Sequence, residues 1–189
     1  MNVYDFDNTI YDGDSTAHFY FYCVRRFPSV LLWLPYQGGA FLLYLLGIYT
    51  KTQFKERFYR FFRSVPEIEA VVERFWDDKQ GRIKAWYRAN QRPDDVVISA
   101  SPEFLLRPVC ERLGISHLIA SRVDARTGKY DGLNCYGEEK AVRFRAEMPG
   151  YKVENFYSDS RSDTPMARLA SGQAYLVLGE RLVKWDGRA

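Results

Sequence analysis

Apolar positions along this chain fall into short runs separated by amphipathic stretches. Runs of strand type lie at 3–7, 95–99, 116–123, 153–157 and 173–179, enough for a parallel-type sheet. Between them the period lengthens. Ile68, Val71, Val72, Phe75 and Trp76 recur at helical spacing inside a segment read as helical from Pro66 to Gln91. Gly137-Glu138-Glu139-Lys140 opens another amphipathic helix, with Ala141, Val142, Phe144 and Met148 on its apolar side. Lys129 to Gly137 reads as a hairpin with Asp131-Gly132 at its turn. Strands alternating with helices predict an α/β fold.

The chemistry-bearing residues sit at the ends of those strands. A strand's period of two puts Asp5 and Asp7 on one face, where two carboxylates repel unless a cation or a shared proton lies between them. Such a pair suits a nucleophile and a proton donor around one phosphorus atom, with a divalent metal offsetting the charge; a solvated turn pair is the plain alternative. Val96 to Pro102 reads as a buried strand running into a helix, with Ser101 as N-cap and Pro102 at the first helical position. Free N–H groups would then face an anion near Ser99, unless this is a routine strand-to-helix junction. Val153 to Tyr157 ends in Asp159 and Asp163, ahead of Thr164-Pro165. Asp163 could serve simply as a helix start, whereas Asp159 stands at a strand's carboxyl end, where open α/β sheets place their ligands.

In order and placement these segments resemble the haloacid dehalogenase superfamily: Asp5-Phe6-Asp7-Asn8-Thr9, Ser99, Lys140, and Asp159 with Asp163. The resemblance implies a Rossmann-like core of residues 1–13 and 93–189, with a helical cap, 14–92, inserted after the first strand. It implies Asp5 as nucleophile and Asp7 as general acid and base. Ser99 and Lys140 would hold the phosphate, and Mg2+ would sit among Asp5, the Asp7 carbonyl and Asp159, with Asp163 orienting Lys140 or a metal-bound water. Asp7 is absent from dehalogenases proper and argues for phosphate ester hydrolysis. Asn8 stands where the superfamily often has glycine.

A cap between the first and second motifs matches the phosphoserine-phosphatase-like branch, and its early part is unusual. Phe27 to Thr50 carries no charge over 24 positions, about the length of a membrane span. One crossing would part Asp5 from Ser99, Lys140 and Asp159, and the run is too short for two. Pro35 and Gly38-Gly39 break it, predicting a hairpin of two short helices that is either cap core or seated in a membrane interface. From His18 to Arg63 seven basic residues face Glu56 alone, in a chain whose net charge is +3. That balance tilts the choice toward an anionic membrane surface, and apolar bulk of this size fits lipid better than nucleic acid.

The hydrophobic cap and Tyr157-Ser158-Asp159-Ser160 resemble, more loosely, the bacterial phosphatidylglycerophosphatases, implying a phospholipid headgroup phosphate as substrate. Among further candidate contacts, Asp14 suits a substrate hydroxyl or the N-cap of the first cap helix, and Ser101 and Arg161 stand near the motifs. Cys23, Cys110 and Cys135 form neither a disulfide framework nor a zinc pattern, which fits a reducing cytosol and a peripheral position at the inner face of the membrane. His18 and His117 are isolated. The chain enters its first strand too directly for a signal peptide. Three functions remain open: a lipid phosphatase at a membrane surface, a soluble phosphatase for a small metabolite such as phosphoserine, or an idle phosphate- or membrane-binding module. The intact motif set speaks against the third.

Overall fold

The computed structural model describes residues 1–186; the last three residues assigned above to the core, 187–189, lie outside the described residues. Six strands form one sheet in the order β3-β2-β1-β4-β5-β6. They are β1 (Val3–Tyr4), β2 (Val96–Pro102), β3 (His117–Ser121), β4 (Phe156–Ser158), β5 (Ala174–Leu178) and β6 (Arg181–Lys184). Pairings through β5 are parallel. Such strands are covered on both faces, so Val96, Val97 and Ile98 form an unbroken buried run. β6 returns antiparallel to β5 after Gly179, at φ +63°. All four of its residues are exposed, so no apolar pattern announces it.

Residues 14–92 form α1 (Ser15–Arg26), a 3-10 turn (Pro28–Trp33), α2 (Leu34–Leu45), α3 (Lys51–Phe58), a second 3-10 turn (Tyr59–Ser64), α4 (Ile68–Lys79) and α5 (Ala85–Asn90). The periodic residues of α4 are all buried. Helix beyond Lys79 gives way to a 3-10 turn and an extended Ile83 before α5. An aromatic cluster including Tyr4, Phe6, Phe19, Phe62, Phe75 and Trp76 runs from the sheet into these helices without a break. Trp76 Nε1 donates to the Leu105 carbonyl at 2.6 Å, tying α4 to α6 (Glu103–Arg112).

The uncharged run folds differently from the expected hairpin broken at Pro35 and Gly38-Gly39. Pro35 lies in the first turn of α2, where a missing N–H costs nothing. Both glycines sit inside that helix. The break comes at Gly47, φ +72°, so α2 pairs with the charged α3. The packing of α2 is inverted. Its buried side chains are Gln37 and Ala40, and Gln37 accepts from Tyr20 Oη at 3.1 Å and donates to the Phe58 carbonyl at 3.0 Å. Leu32 is 80% exposed, Leu45 63%, Leu46 64% and Ile48 62%.

Two further expectations are corrected. The reversal expected at Asp131-Gly132 lies upstream, because Asp124 Oδ1 accepts from Thr127 N and Thr127 Oγ1 and Gly128 supplies φ +73°. Tyr130 then bridges to Val123, and 131–137 is loop. On α7 (Glu138–Glu147) Val142 faces solvent while Arg143 is buried, donating to the carbonyls of Ala120 and Leu133. A guanidinium with carbonyl partners can enter a core that a periodicity argument reserves for valine.

Candidate active site

Because β2, β1 and β4 run parallel, the segments leaving their carboxyl ends open on the same edge of the sheet. A cavity of about 370 Å³ lies there, lined by Asp5, Asp7, Ser99, Lys140, Asp159 and Asp163 together. Asp14 and Ser101 also line it, and Arg161 does not. Arg161 instead reaches Asp186 at 2.5 Å on the surface.

At its floor, Lys140 Nζ donates to Asp5 Oδ1 and to Asp163 Oδ2, both at 2.6 Å. Lys140 stands in the first turn of α7, whose N-cap Gly137 takes φ +60°. Asp163 precedes α8 (Thr164–Ala167) but does not cap it with its side chain, which turns to Lys140 and to Ser158 Oγ at 2.8 Å. Burial works to lower the Lys140 pKa, but the two carboxylates outweigh it and hold the ammonium above the ordinary lysine value. Burial pushes the Asp5 carboxyl up, to about 8, against the pull of Lys140.

Asp5 and Asp7 do not share a strand face. β1 ends at Tyr4, and the N–H groups of Thr9, Ile10 and Tyr11 all turn back to the Phe6 carbonyl. That turn requires φ +55° at Asn8, a conformation asparagine tolerates better than other side chains except glycine. Asp7 reaches the cavity from the turn. Its Oδ1 accepts from Ser15 N at 2.6 Å and its Oδ2 from Ser101 Oγ at 2.5 Å. Burial, then neighbouring Asp14, raises the Asp7 carboxyl to about 6, with the bonds from Ser101 and Ser15 opposing.

Ser101 therefore is not the N-cap expected of it. β2 continues through Pro102, α6 starts at Glu103, and the Ser101 hydroxyl holds Asp7 instead. Ser99 Oγ accepts from Ser101 N at 3.1 Å. Asp159 is anchored through its own N–H to Thr9 Oγ1 at 2.9 Å, and burial raises its carboxyl. Asp14 caps α1, accepting from Ala17 N at 2.8 Å. His18 shares a 2.7 Å hydrogen bond with Tyr11 Oη and is not part of the lining.

The sequence reading missed one wall of the cavity, where α3 contributes Lys51, Phe54, Lys55 and Phe58. Two i,i+4 pairs in one short helix are the signal that was there to read. Ser158 and Thr9, which orient Asp163 and Asp159, carried no comparable signal.

Among the described residues no three His, Cys, Asp or Glu side chains converge as a ready metal cage. The donor set still fits a hard cation that keeps several waters. Asp163 Oδ1 is buried without a protein donor, and burial destabilises charge on Asp5 and Asp159. Both are conditions that a divalent ion relieves.

A family model of haloacid dehalogenase-like hydrolases matches residues 3–168. The chain belongs to that family. It shares 42% identity over 95 residues with a probable phosphatase of Mycobacterium tuberculosis, covering 47% of this chain and 33% of the relative. The chain thus spans about a third of that relative's length. Similarity to the histidinol-phosphatase of Neisseria meningitidis is lower, 28%, but extends over 90% of this chain and 87% of that one. A Bordetella pertussis protein of unknown function superposes with a TM-score of 0.77 at 20% identity, covering 93% of this chain and 88% of the other. A phosphoserine phosphatase captured as a phospho-aspartyl intermediate analogue superposes at 0.57 with 15% identity, covering 92% and 84%. Those of its relatives that are named for an activity are phosphatases, and its fold is that of phosphoserine-phosphatase-like structures.

Proposed function

We propose that the chain is a magnesium-dependent phosphomonoester hydrolase acting through an aspartyl phosphate. The observation that carries this reading is the pair of environments around Asp5 and Asp7. Asp5 lies against the Lys140 ammonium, which opposes the upward pull of burial on its carboxyl, and beside a bound divalent ion it would take the ionised, attacking form. Asp7 is held by two donors with its carboxyl near 6, in range for proton transfer at neutral pH. An Asp5 oxygen bonds to phosphorus as the bond to the ester oxygen breaks, and Asp7 delivers its proton to that oxygen. Asp7, now ionised, takes a proton from water. The resulting hydroxide bonds to phosphorus, the Asp5–phosphorus bond breaks, and inorganic phosphate leaves. Ser99 and Lys140 donate to the phosphoryl oxygens. Asp5, the Asp7 carbonyl and Asp159 would hold Mg2+, with Asp163 close by, and the ion supplies neutralisation of phosphate charge. Residues 14–92 act as the cap over a core of 1–13 and 93–189.

For the substrate we read a phospholipid headgroup phosphate such as that of phosphatidylglycerophosphate, met at an anionic membrane surface by an enzyme peripheral to it. The inverted α2 supports this. It holds its glutamine inward and presents leucines outward, beside the helix that walls the cavity. Near-full-length similarity to a histidinol-phosphatase favours a second reading, a soluble phosphatase for a small phosphorylated alcohol. The test is magnesium-dependent phosphate release from phosphatidylglycerophosphate in mixed micelles, with histidinol phosphate and phosphoserine in parallel and Asp5→Asn as blank. Preference for the lipid is expected. Preference for either soluble ester would overturn the lipid reading, and equality with the blank on all three would remove these substrates together.

A further inference from the structure

The mechanism uses one of three lysines that line the cavity. Lys140 is committed to Asp5 and Asp163. Lys51 and Lys55 are not, and among the described residues neither has a carboxylate within ion-pair distance. Lys55 Nζ donates to the Ala100 carbonyl at 2.7 Å, between Ser99 and Ser101, which brings its ammonium beside the phosphate-binding segment. One turn away, Lys51 Nζ sits 3.5 Å from the centre of the Tyr136 ring, and Tyr136 also lines the cavity. Phe54 and Phe58 complete the same face. Two cations one helical turn apart, with aromatic surface between them, extend from Ser99 outward.

We infer that Lys51 and Lys55 form a subsite for a second anionic group, so that the enzyme selects phosphomonoesters carrying another phosphate a few bonds from the one removed. The inference rests on the phosphomonoesterase reading of the site and adds its substrate class. A substrate of one phosphate and a neutral remainder would leave both ammonium groups facing the cavity without an ion-pair partner. Burial already pulls Lys55 down to about 8, although Asp14 and Asp7 act in the other direction. That is the response of a cation short of compensation. A lipid headgroup offers the second anion as a phosphodiester, and a soluble bisphosphate offers it as a monoester. The subsite chemistry is the same.

The test compares kcat/KM for n-propyl phosphate, propane-1,3-diyl bisphosphate and methyl 3-(phosphonooxy)propyl phosphate, which each release a primary propyl alkoxide and differ in what C3 carries. The wild type is expected to favour the two esters that carry a second anionic group by about tenfold or more, the scale of one charge-assisted hydrogen bond. The ratio should collapse toward one in Lys51→Gln/Lys55→Gln, whatever that variant does to propyl phosphate itself. A helix that merely latches the cap would lower all three alike. A wild-type ratio near one, or a ratio unmoved by the double substitution, overturns the subsite. Preference for the phosphodiester assigns the second anion to a lipid headgroup, and preference for the bisphosphate to a soluble metabolite; both support the subsite. Calorimetric binding of the bisphosphate to Asp5→Asn, with and without the two lysines, reads the subsite without turnover. If p-nitrophenyl phosphate is not hydrolysed above the Asp5→Asn blank, the phosphomonoesterase reading fails. Lysine-dependent binding would still uphold the subsite, and lysine-independent binding would overturn it.

Discussion

Asp7 is the residue on which the proposed ester hydrolysis turns, held by Ser15 and Ser101 at the edge of the cavity. Asp7→Asn keeps the shape and the bond from Ser15 but removes the proton donor, so kcat toward n-propyl phosphate, whose alkoxide must be protonated as it leaves, should fall by about 10²–10⁴. An unchanged kcat would dismiss Asp7 as the general acid. The same carboxylates set a pH dependence of stability. Asp5 and Asp7 have folded pKa values of about 8 and about 6, both above the ordinary aspartate value. Their contribution is fully present below the unfolded pKa, near 4, and is lost as pH rises through the folded values. The metal-free protein should therefore lose thermal stability between about pH 4 and 8. Magnesium should restore more of it at pH 8 than at pH 5, since it binds the ionised forms. Thermal melts with EDTA or MgCl2 at the two pH values measure this, and an equal magnesium effect at both would contradict it. The six motif residues were legible as a set, through their order along the chain and its resemblance to a known family; Lys140, inside α7, carried no signal of its own. The Ser101–Asp7 bond and the left-handed Asn8 were not legible, since both depend on where the chain turns after Tyr4.

Among the elements, Gly128 marks where the core approaches the helical segment. A Cβ there would lie 2.5 Å from the Tyr59 carbonyl oxygen, at φ +73°. Gly150, at φ +83°, has open space around its missing Cβ, so Gly150→Ala carries backbone strain alone. Gly128→Ala should destabilise by about 2 kcal/mol or more in urea titrations, and by more than Gly150→Ala. Equal losses would mean that the Tyr59 contact yields freely. This contact also shows why elements were easier to read than their ends. Five strands and α4 were legible from apolar periodicity, which depends on which face is buried. The reversal at Asp124–Gly128 was misplaced to Asp131-Gly132 because both sequences suit a turn, and packing against Tyr59 decides between them. Gly38-Gly39 signalled a break, yet helix persists because α2 is anchored through Gln37 and packs on α3 through Phe54, which meets Phe41 and Tyr44 at 5.6 and 5.4 Å.

Over the whole molecule, charge and apolar surface are distributed unevenly. The excess of basic residues flanks the region where leucines face outward, and Arg57 and Arg60 lie over the rings of Tyr49 and Tyr36 at its border. Among the described residues no helix is long and apolar enough to cross a membrane. An interfacial seat needs only an apolar face a few ångströms deep and a cationic rim. The wild type should therefore co-sediment with vesicles containing phosphatidylglycerol and less with phosphatidylcholine alone. Binding should weaken with salt through the rim while keeping a salt-resistant part from the leucines. Burying one such leucine contributes about 1.5–3 kcal/mol. Leu42→Glu/Leu46→Glu should then lower partitioning by about two orders of magnitude or more. Both positions are exposed, so the melting temperature and turnover of p-nitrophenyl phosphate should stay close to wild type. If the wild type ignores anionic vesicles and the same double substitution converts a dimer to a monomer in light scattering, the leucine face is a contact between copies of the chain. The substrate would then have to be sought among soluble phosphate esters.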